Sequence, residues 1–288
     1  PKLYRLSKKY NFITVGDFIQ HRFQSNALTV TITIIAIIAL GNYILTNLKA
    51  IGFIILAATG GQVSFAQGII VLSLIMVIYE TLGGMRSVAW TDMIQGVLLL
   101  LGVFLIFITI QSEYGGLAHA SEQIKSIHPD FWQPPDWEGK RLWLSTIVIV
   151  FFGISVYPHA IQRIYAARDE KTLRRSFQIM IFMPLVTTLF MIIVGIVGAA
   201  QIPGLDRQGS EQITLLLLND LAQNIPAVSW LLVIFLSAAV AAIMSTVDSA
   251  LLAISSLVTQ DLYGKMKPRS SQSHLLRFGK IVSWLIMA

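Results

Sequence analysis

Six apolar stretches, each close to the length that an α-helix needs to cross a bilayer, constrain this sequence more than any other feature. A hydrocarbon core of about 30 Å requires about 20 apolar residues in a helix. Only helices and closed barrels satisfy their backbone polar groups in lipid, so we predict an all-α integral membrane protein. The predicted spans cover residues 27–58, 67–82, 93–112, 142–161, 176–200 and 228–258, with a seventh over 278–288.

The distribution of basic residues predicts how these spans are oriented. The chain has 21 Lys and Arg against 15 Asp and Glu, a net charge of +6. With residues 1–26 in the cytoplasm and alternating spans, sixteen basic residues fall inside, four outside and one, Lys49, within a span. This asymmetry follows the positive-inside rule and explains the charge without a nucleic-acid partner. We expect residues 1–26, 162–175 and 259–277 to be cytoplasmic, and the loop 113–141 to lie outside.

The composition argues against an enzyme. Charged residues make up 12% of the chain, about half of the usual share in a soluble domain. There is no cysteine, and the five histidines form no metal-binding pair of the HExxH kind, so thiolate and zincin sites are excluded. The chain begins without Met in a basic stretch. We interpret residues 1–288 as one transmembrane domain from the interior of a longer protein of the plasma membrane, most simply a bacterial inner membrane.

The sixth span carries the most polar chemistry. At helical spacing, one stripe of it collects small and hydroxyl side chains, namely Ala242, Ser245, Thr246 and Ser249. Their oxygens suit a small hard cation, but such residues also bond back to the helix or pack helices together. Asp248, one position off the stripe, favours the functional interpretation because a carboxylate within a span is costly.

Lys49 is a second charged residue inside a predicted span. Three interpretations are open: it snorkels toward the outer surface, it faces an anionic substrate, or it pairs with Asp248. The last hypothesis has a physical basis, since a lone buried charge is less favourable than a satisfied pair. We keep Lys49 as a candidate for substrate contact or gating.

The fourth span contains Gly153, Tyr157 and Pro158, a combination typical of a broken helix. Broken helices mark binding sites in secondary transporters, so Gly153 and Tyr157 are also candidates for substrate contact or gating. A plain proline kink is the alternative. His159 and Arg163, four residues apart at the cytoplasmic end, are interpreted as interface anchors.

Two carboxylates border the connection between the second and third spans. Asp92 opens the third span, where Thr91 or Asp92 itself would cap the start of a helix. Glu80 closes the second span, where Arg86 is the expected partner.

Three motifs in this sequence resemble the sodium:solute symporter family. In chain order they are Tyr79–Gln95 around Gly83-Gly84, the segment Pro158-His159 to Arg163, and Ala241–Thr246 continuing to Thr259-Gln-Asp261-Leu-Tyr263. The resemblance implies a LeuT-like bundle of two inverted five-helix repeats. The six complete spans would be core helices three to eight, and residues from 278 would begin the ninth.

The resemblance also implies the ion-binding residues. The Ala242 carbonyl and the Ser245 and Thr246 hydroxyls would bind Na+, with the remaining ligands on the first core helix. A possible second cation site would use Asp248 and Ser249.

The function implied by the resemblance is sodium-coupled symport of a small organic solute by alternating access. In that function Asp92 would line the cytoplasmic exit path of the ion. The alternative is a symporter-like membrane sensor module of a histidine kinase. Neither the solute nor the oligomeric state follows from the sequence.

Overall fold

The computed structural model describes residues 1–127, 129, 133–154 and 156–288, and within these residues the chain is helical with no strand. The helices are α1 Lys2–Tyr10, α2 Val15–Phe23, α3 Asn26–Ala58, α4 Phe65–Glu113, α5 Gly116–Ile127, α6 Trp137–Ile154, α7 Pro158–Ala166, α8 Glu170–Gln201, α9 Arg207–Glu211, α10 Ile213–Asn224, α11 Pro226–Ser256, α12 Gly264–Met266 and α13 Gln272–Met287. A π-helical segment, Leu257–Tyr263, joins α11 to α12.

Five helical segments in the described chain are long and apolar enough to cross a membrane. They are α3, α4, α8, Trp137–Ala166 and Pro226–Met266. Large apolar side chains on them are exposed, including Leu82 at 81% and Ile38 at 67%. Continuous exposed apolar surface suits lipid and not water. The prediction of an all-α integral membrane protein is confirmed.

Helix α4 accounts for the difference between five segments and six predicted spans. Its 49 residues extend over about 74 Å at 1.5 Å per residue, more than twice a bilayer core of about 30 Å. The helix is interrupted at Gly84, where φ is 56° and ψ is −148°. Only glycine adopts such a conformation at little cost, and a Cβ on Gly83 would overlap the side chain of Ser87. The predicted second and third spans therefore lie on either side of a tight glycine turn.

The described chain packs as two compact units. Unit 1 comprises Pro1–Met93, Thr146–Phe177 and Ala242–Ala288, and unit 2 comprises Ile94–Ser145 and Gln178–Ala241. In unit 1, the fully buried Ile51, Met76 and Leu251 join α3, the start of α4 and the end of α11. In unit 2, Ile124, Val197 and Leu217 join α5, α8 and α10. Every predicted site residue belongs to unit 1.

The predicted outside loop, residues 113–141, contains α5 at Gly116–Ile127. Four of its residues, 128 and 130–132, lie outside the described part of the chain. The short helix α2 begins at a capping box, in which the Thr14 side chain accepts from the Asp17 amide and Asp17 accepts from the Thr14 amide. This arrangement satisfies two backbone donors and fixes the position of Thr14.

Candidate functional site

The polar stripe of α11 brings three oxygens together within about one turn. The Thr246 hydroxyl donates to the Ala242 carbonyl at 3.0 Å, and the Ser245 hydroxyl donates to Oδ1 of Asp92. A hydroxyl has one proton and two lone pairs. Both hydroxyls therefore give their proton to the protein and keep lone pairs for another partner. With the Ala242 carbonyl, they form a set of hard oxygens suited to a small cation.

Asp92 lies inside a helix and not at the start of one. The Thr91 hydroxyl bonds back to the carbonyls of Ser87 at 3.2 Å and Val88 at 2.9 Å, as hydroxyls do in helix interiors. The prediction that Thr91 or Asp92 caps a helix is wrong, because the helix resumes directly after Gly84. The side chain of Asp92 is 12% exposed and contacts Ser245 on the polar stripe.

Arg163 completes this group, although the sequence had indicated only an interface anchor. Its guanidinium contacts Oδ2 of Asp92 and donates to Oγ of Ser249. The Ser249 hydroxyl donates to the Ser245 carbonyl at 2.8 Å. We call Asp92, Arg163, Ser245 and Ser249 the Asp92 cluster. It joins α4, α7 and α11 within unit 1. Its partners are 71 and 86 residues from Arg163, so no local pattern in the sequence indicated them.

Asp248 makes a different set of contacts from its neighbour Ser249. It is fully buried, and its Oδ2 accepts a hydrogen bond from the Tyr79 hydroxyl on the first part of α4. Among the described residues, its Oδ1 has no hydrogen-bond partner. Ser249 instead contacts Arg163. Asp248 and Ser249 thus have different hydrogen-bond partners, and a second cation site at these two residues stays a prediction.

Two charge pairs expected from the sequence are not formed in the part of the chain that the structure describes. Lys49 is exposed on α3 and makes no ion pair with Asp248, so that hypothesis is wrong. The physical reason is direction: the Lys49 side chain is exposed on α3, whereas Asp248 is buried and accepts from Tyr79 at Oδ2. Glu80 is buried and accepts from Ser283 on α13 at 3.0 Å, while Arg86 is exposed.

The fourth predicted span is interrupted between α6 and α7. Helix α6 ends at Ile154 and α7 begins at Pro158, with Tyr157 extended at φ −63° and ψ 117°. Helix α6 thus ends one residue after Gly153, and Ser155 falls outside the described residues. A proline at the first position of a helix costs no hydrogen bond. The chain thus has a break here rather than a kink within one continuous helix.

Aromatic side chains connect this break to the polar stripe. The ring centroid of Tyr157 is 5.4 Å from that of His159, and His159 stacks on Tyr43 at 6.1 Å. The Tyr43 hydroxyl interacts with the side chain of Thr246. Tyr157 is 44% exposed and available to a ligand. A Cβ on Gly153 would make ordinary van der Waals contact with the Tyr157 ring at 3.8 Å.

Asp261 forms a second buried node that sequence reasoning quoted only as part of a motif. It is fully buried in the π-helical segment and accepts from the Thr14 hydroxyl at 2.6 Å and the Thr33 hydroxyl at 3.1 Å. A Cβ on Gly16 would overlap its carboxylate. We call these four residues the Asp261 node. It holds α2 and α3 against the end of the α11 segment.

Long apolar helices, an interruption at Gly84 and a broken helix beside buried polar side chains define a multi-pass all-α membrane protein. The family model of the sodium:solute symporter family matches residues 2–288, and the chain belongs to that family.

Curated relatives agree with this assignment. The chain is 29% identical to a sodium/pantothenate symporter of Haemophilus influenzae, over 98% of this chain and 58% of that protein. It is 26% identical to the sodium/pantothenate symporter of Escherichia coli, again over 98% of this chain and 58% of that protein. It is 28% identical to the osmoregulated proline transporter OpuE of Bacillus subtilis, over 96% of this chain and 55% of that protein. The chain thus spans somewhat more than half the length of these relatives. All three are transporters, which points away from an enzyme.

Proposed function

We propose that the complete protein carrying this chain couples the inward movement of sodium to the uptake of a small organic solute. The observation that carries the proposal is the polar stripe of α11. Its Ser245 and Thr246 hydroxyls donate to Asp92 and to the Ala242 carbonyl, and each keeps at least one lone pair for a cation. Sodium is cargo in this reaction. Water, solute or another helix supplies the rest of its oxygen shell.

The coupling follows from charge and position. One cation moving inward across 100 mV gains about 2.3 kcal/mol, which drives a solute against its gradient. Asp92 attracts the ion from below Ser245, and we infer that it lines the exit path toward the cytoplasm. A ligand shifts a conformational equilibrium only through a difference in affinity between the two states. The broken α6–α7 segment beside the stripe is the element that we expect to differ between them.

The family supports a small carboxylate as the class of solute. The relatives are named for pantothenate and proline, and both compounds carry a carboxylate. Tyr157 is the best-placed contact or gate, since it is exposed and connected through His159 and Tyr43 to Thr246. The exposed Lys49 remains a candidate counter-charge, and Gly153 a candidate for close approach. We infer no sensor function, because the relatives are named symporters and transporters.

Orientation and fold are parts of the same proposal. We propose a plasma-membrane protein with residues 1–26, 162–175 and 259–277 in the cytoplasm and 113–141 outside, since basic residues favour the inside. The LeuT-like arrangement of inverted repeats, with this chain supplying core helices three to eight, is the expected architecture.

The test measures solute uptake by the complete protein with and without a sodium gradient, over proline, pantothenate and related carboxylates. In Ser245→Ala/Thr246→Ala we expect the sodium concentration for half-maximal uptake to rise at least about tenfold, equivalent to about 1.4 kcal/mol. Ser256→Ala is the matched control, because the Ser256 hydroxyl donates to the Leu252 carbonyl at 2.8 Å away from the cluster. Uptake that keeps its sodium dependence in the double variant would contradict the site. Sodium-independent uptake by the unmodified protein would contradict the coupling.

A further inference from the structure

The guanidinium of Arg163 is the one charged group in the Asp92 cluster that the proposed function leaves without a role. Its side chain is 45% exposed, whereas that of Asp92 is 12% exposed. Arg163 therefore covers the cluster from its open side. It stands on α7, a nine-residue helix separated from α6 by the break before Pro158.

Two acceptors of the cluster, Oδ2 of Asp92 and Oγ of Ser249, both accept a hydrogen bond from this guanidinium. Asp92 accepts from Ser245 at Oδ1 and from Arg163 at Oδ2. The Ser249 hydroxyl gives its proton to the Ser245 carbonyl and accepts from Arg163. A metal cation between Asp92 and Ser249 would need these same two oxygens. Arginine stays protonated in proteins, so it cannot release them by losing its charge.

We propose that Arg163 acts as a tethered cation, occupying the position between Asp92 and Ser249 that a second metal cation would take. The proposal rests on the proposed function and deepens it by fixing how many ions the cluster accepts. The site then binds a single sodium ion, at the Ser245 and Thr246 hydroxyls. Arg163 thereby determines the ion number.

A second consequence is competition for Asp92. Sodium at the Ser245 hydroxyl and the guanidinium of Arg163 are like charges that interact with the same carboxylate. Each therefore weakens the binding of the other to Asp92. Coupling of this kind is reciprocal. Sodium binding therefore loosens the contact between α7 and Asp92, and withdrawal of Arg163 strengthens sodium binding.

A purely structural role for Arg163 makes a different prediction. A guanidinium that only links α4, α7 and α11 would, on removal, lower stability and leave the number of bound ions unchanged. If Arg163 is a tethered cation, its removal leaves the position between Asp92 and Ser249 available to a second ion. Ion stoichiometry separates the two roles, because a merely structural residue does not alter it.

The experiment counts radiolabelled sodium bound at equilibrium to the purified complete protein. We expect about one ion in the unmodified protein and about two in Arg163→Gln, with a Hill coefficient that rises above one, since its upper limit is the number of sites. Arg163→Lys keeps the charge and should bind about one ion. Arg168→Gln removes a neighbouring exposed charge outside the cluster and should match the unmodified protein. An unchanged ion number in a folded Arg163→Gln protein would overturn the proposal.

Ser249→Ala keeps the proposal falsifiable if Arg163→Gln does not fold. This small change removes one acceptor of the guanidinium, so the sodium affinity should stay the same or rise. A tenfold or greater loss of affinity would show that Ser249 is itself an ion ligand, and would overturn the proposal. Failure of the proposed function is distinct: there the unmodified protein binds no sodium at all.

Discussion

The Asp92 cluster and the Asp261 node are both built around a buried or nearly buried carboxylate in unit 1, yet they differ in how the carboxylate is satisfied. Asp261 accepts from two neutral hydroxyls on two helices and has no space around it. Asp92 instead accepts from a neutral hydroxyl at one oxygen and from the charged, partly exposed side chain of Arg163 at the other. The first arrangement holds helices together, whereas the second has components that an ion can compete for.

The comparison predicts that damage to the Asp261 node lowers stability without changing sodium binding. The largest expected effect is that of Gly16→Ala, since the added Cβ would overlap the Asp261 carboxylate. Overpacking of this kind costs about 1–3 kcal/mol, and we expect the upper end because two hydrogen bonds are disturbed as well. Thermal unfolding of the purified complete protein measures the loss.

The matched control for that variant is Gly41→Ala, where the structure has no atom within 4 Å of the added group. It should be neutral or slightly stabilising, because alanine favours a helix over glycine. Equal stability of the two variants would contradict the account of the node.

Damage to the Asp92 cluster should have the opposite profile. Asp92→Asn leaves Arg163 without its counter-charge beside Ser245, so the sodium affinity should fall about 10- to 100-fold. That range corresponds to the 1.5–3 kcal/mol typical of hydrogen bonds to charged groups. Sodium titration of thermal stability measures the affinity. Asp220→Asn, at an exposed carboxylate bonded to Tyr114, is the control and should leave the affinity unchanged.

Tyr79→Phe tests the carboxylate of Asp248, which is fully buried like that of Asp261 but has a hydrogen-bond partner at only one oxygen among the described residues. It removes the hydroxyl that donates to the fully buried Asp248, and an unsatisfied buried group costs about 1–3 kcal/mol. We expect a loss of stability within that range. Tyr4→Phe, which removes an exposed bond to the Arg168 carbonyl, should cost less than about 0.5 kcal/mol. Equal losses in the two variants would argue against the Tyr79–Asp248 contact.

The smallest effect is expected at Lys49. Its side chain is exposed, so Lys49→Met should change stability by no more than about 0.5 kcal/mol. Adding Asp248→Asn should not rescue it, because the two residues form no pair. A severe loss of stability in Lys49→Met that the second change repairs would restore the pair hypothesis.

These two regions also show what could be predicted from the sequence. The polar stripe at Ser245 and Thr246, the glycine turn at Gly84 and the break before Pro158 each have a local signal, because helical periodicity, glycine and proline act on neighbouring residues. Arg163 and Asp261 have none. Their partners are 71 to 247 residues away, and the pairing arises only when the helices pack.

The wrong expectations have the same origin. The Lys49–Asp248 hypothesis rests on charge and on the expected proximity of two helices, and neither gives the direction of a side chain. The cap at Thr91 was inferred from residue type, but the continuing helix had already satisfied that hydroxyl.

The central claim, that the α11 hydroxyls bind sodium, is tested most directly by sodium-dependent thermal stabilisation of the complete protein. A ligand at 100 times its dissociation constant stabilises by about 2.7 kcal/mol. We predict that this stabilisation appears in the unmodified protein and persists in Gly16→Ala, although that variant unfolds at a lower temperature. In Ser245→Ala/Thr246→Ala, at the same sodium concentration, the stabilisation should fall by about half or more. Full stabilisation by sodium in the double variant would contradict the claim.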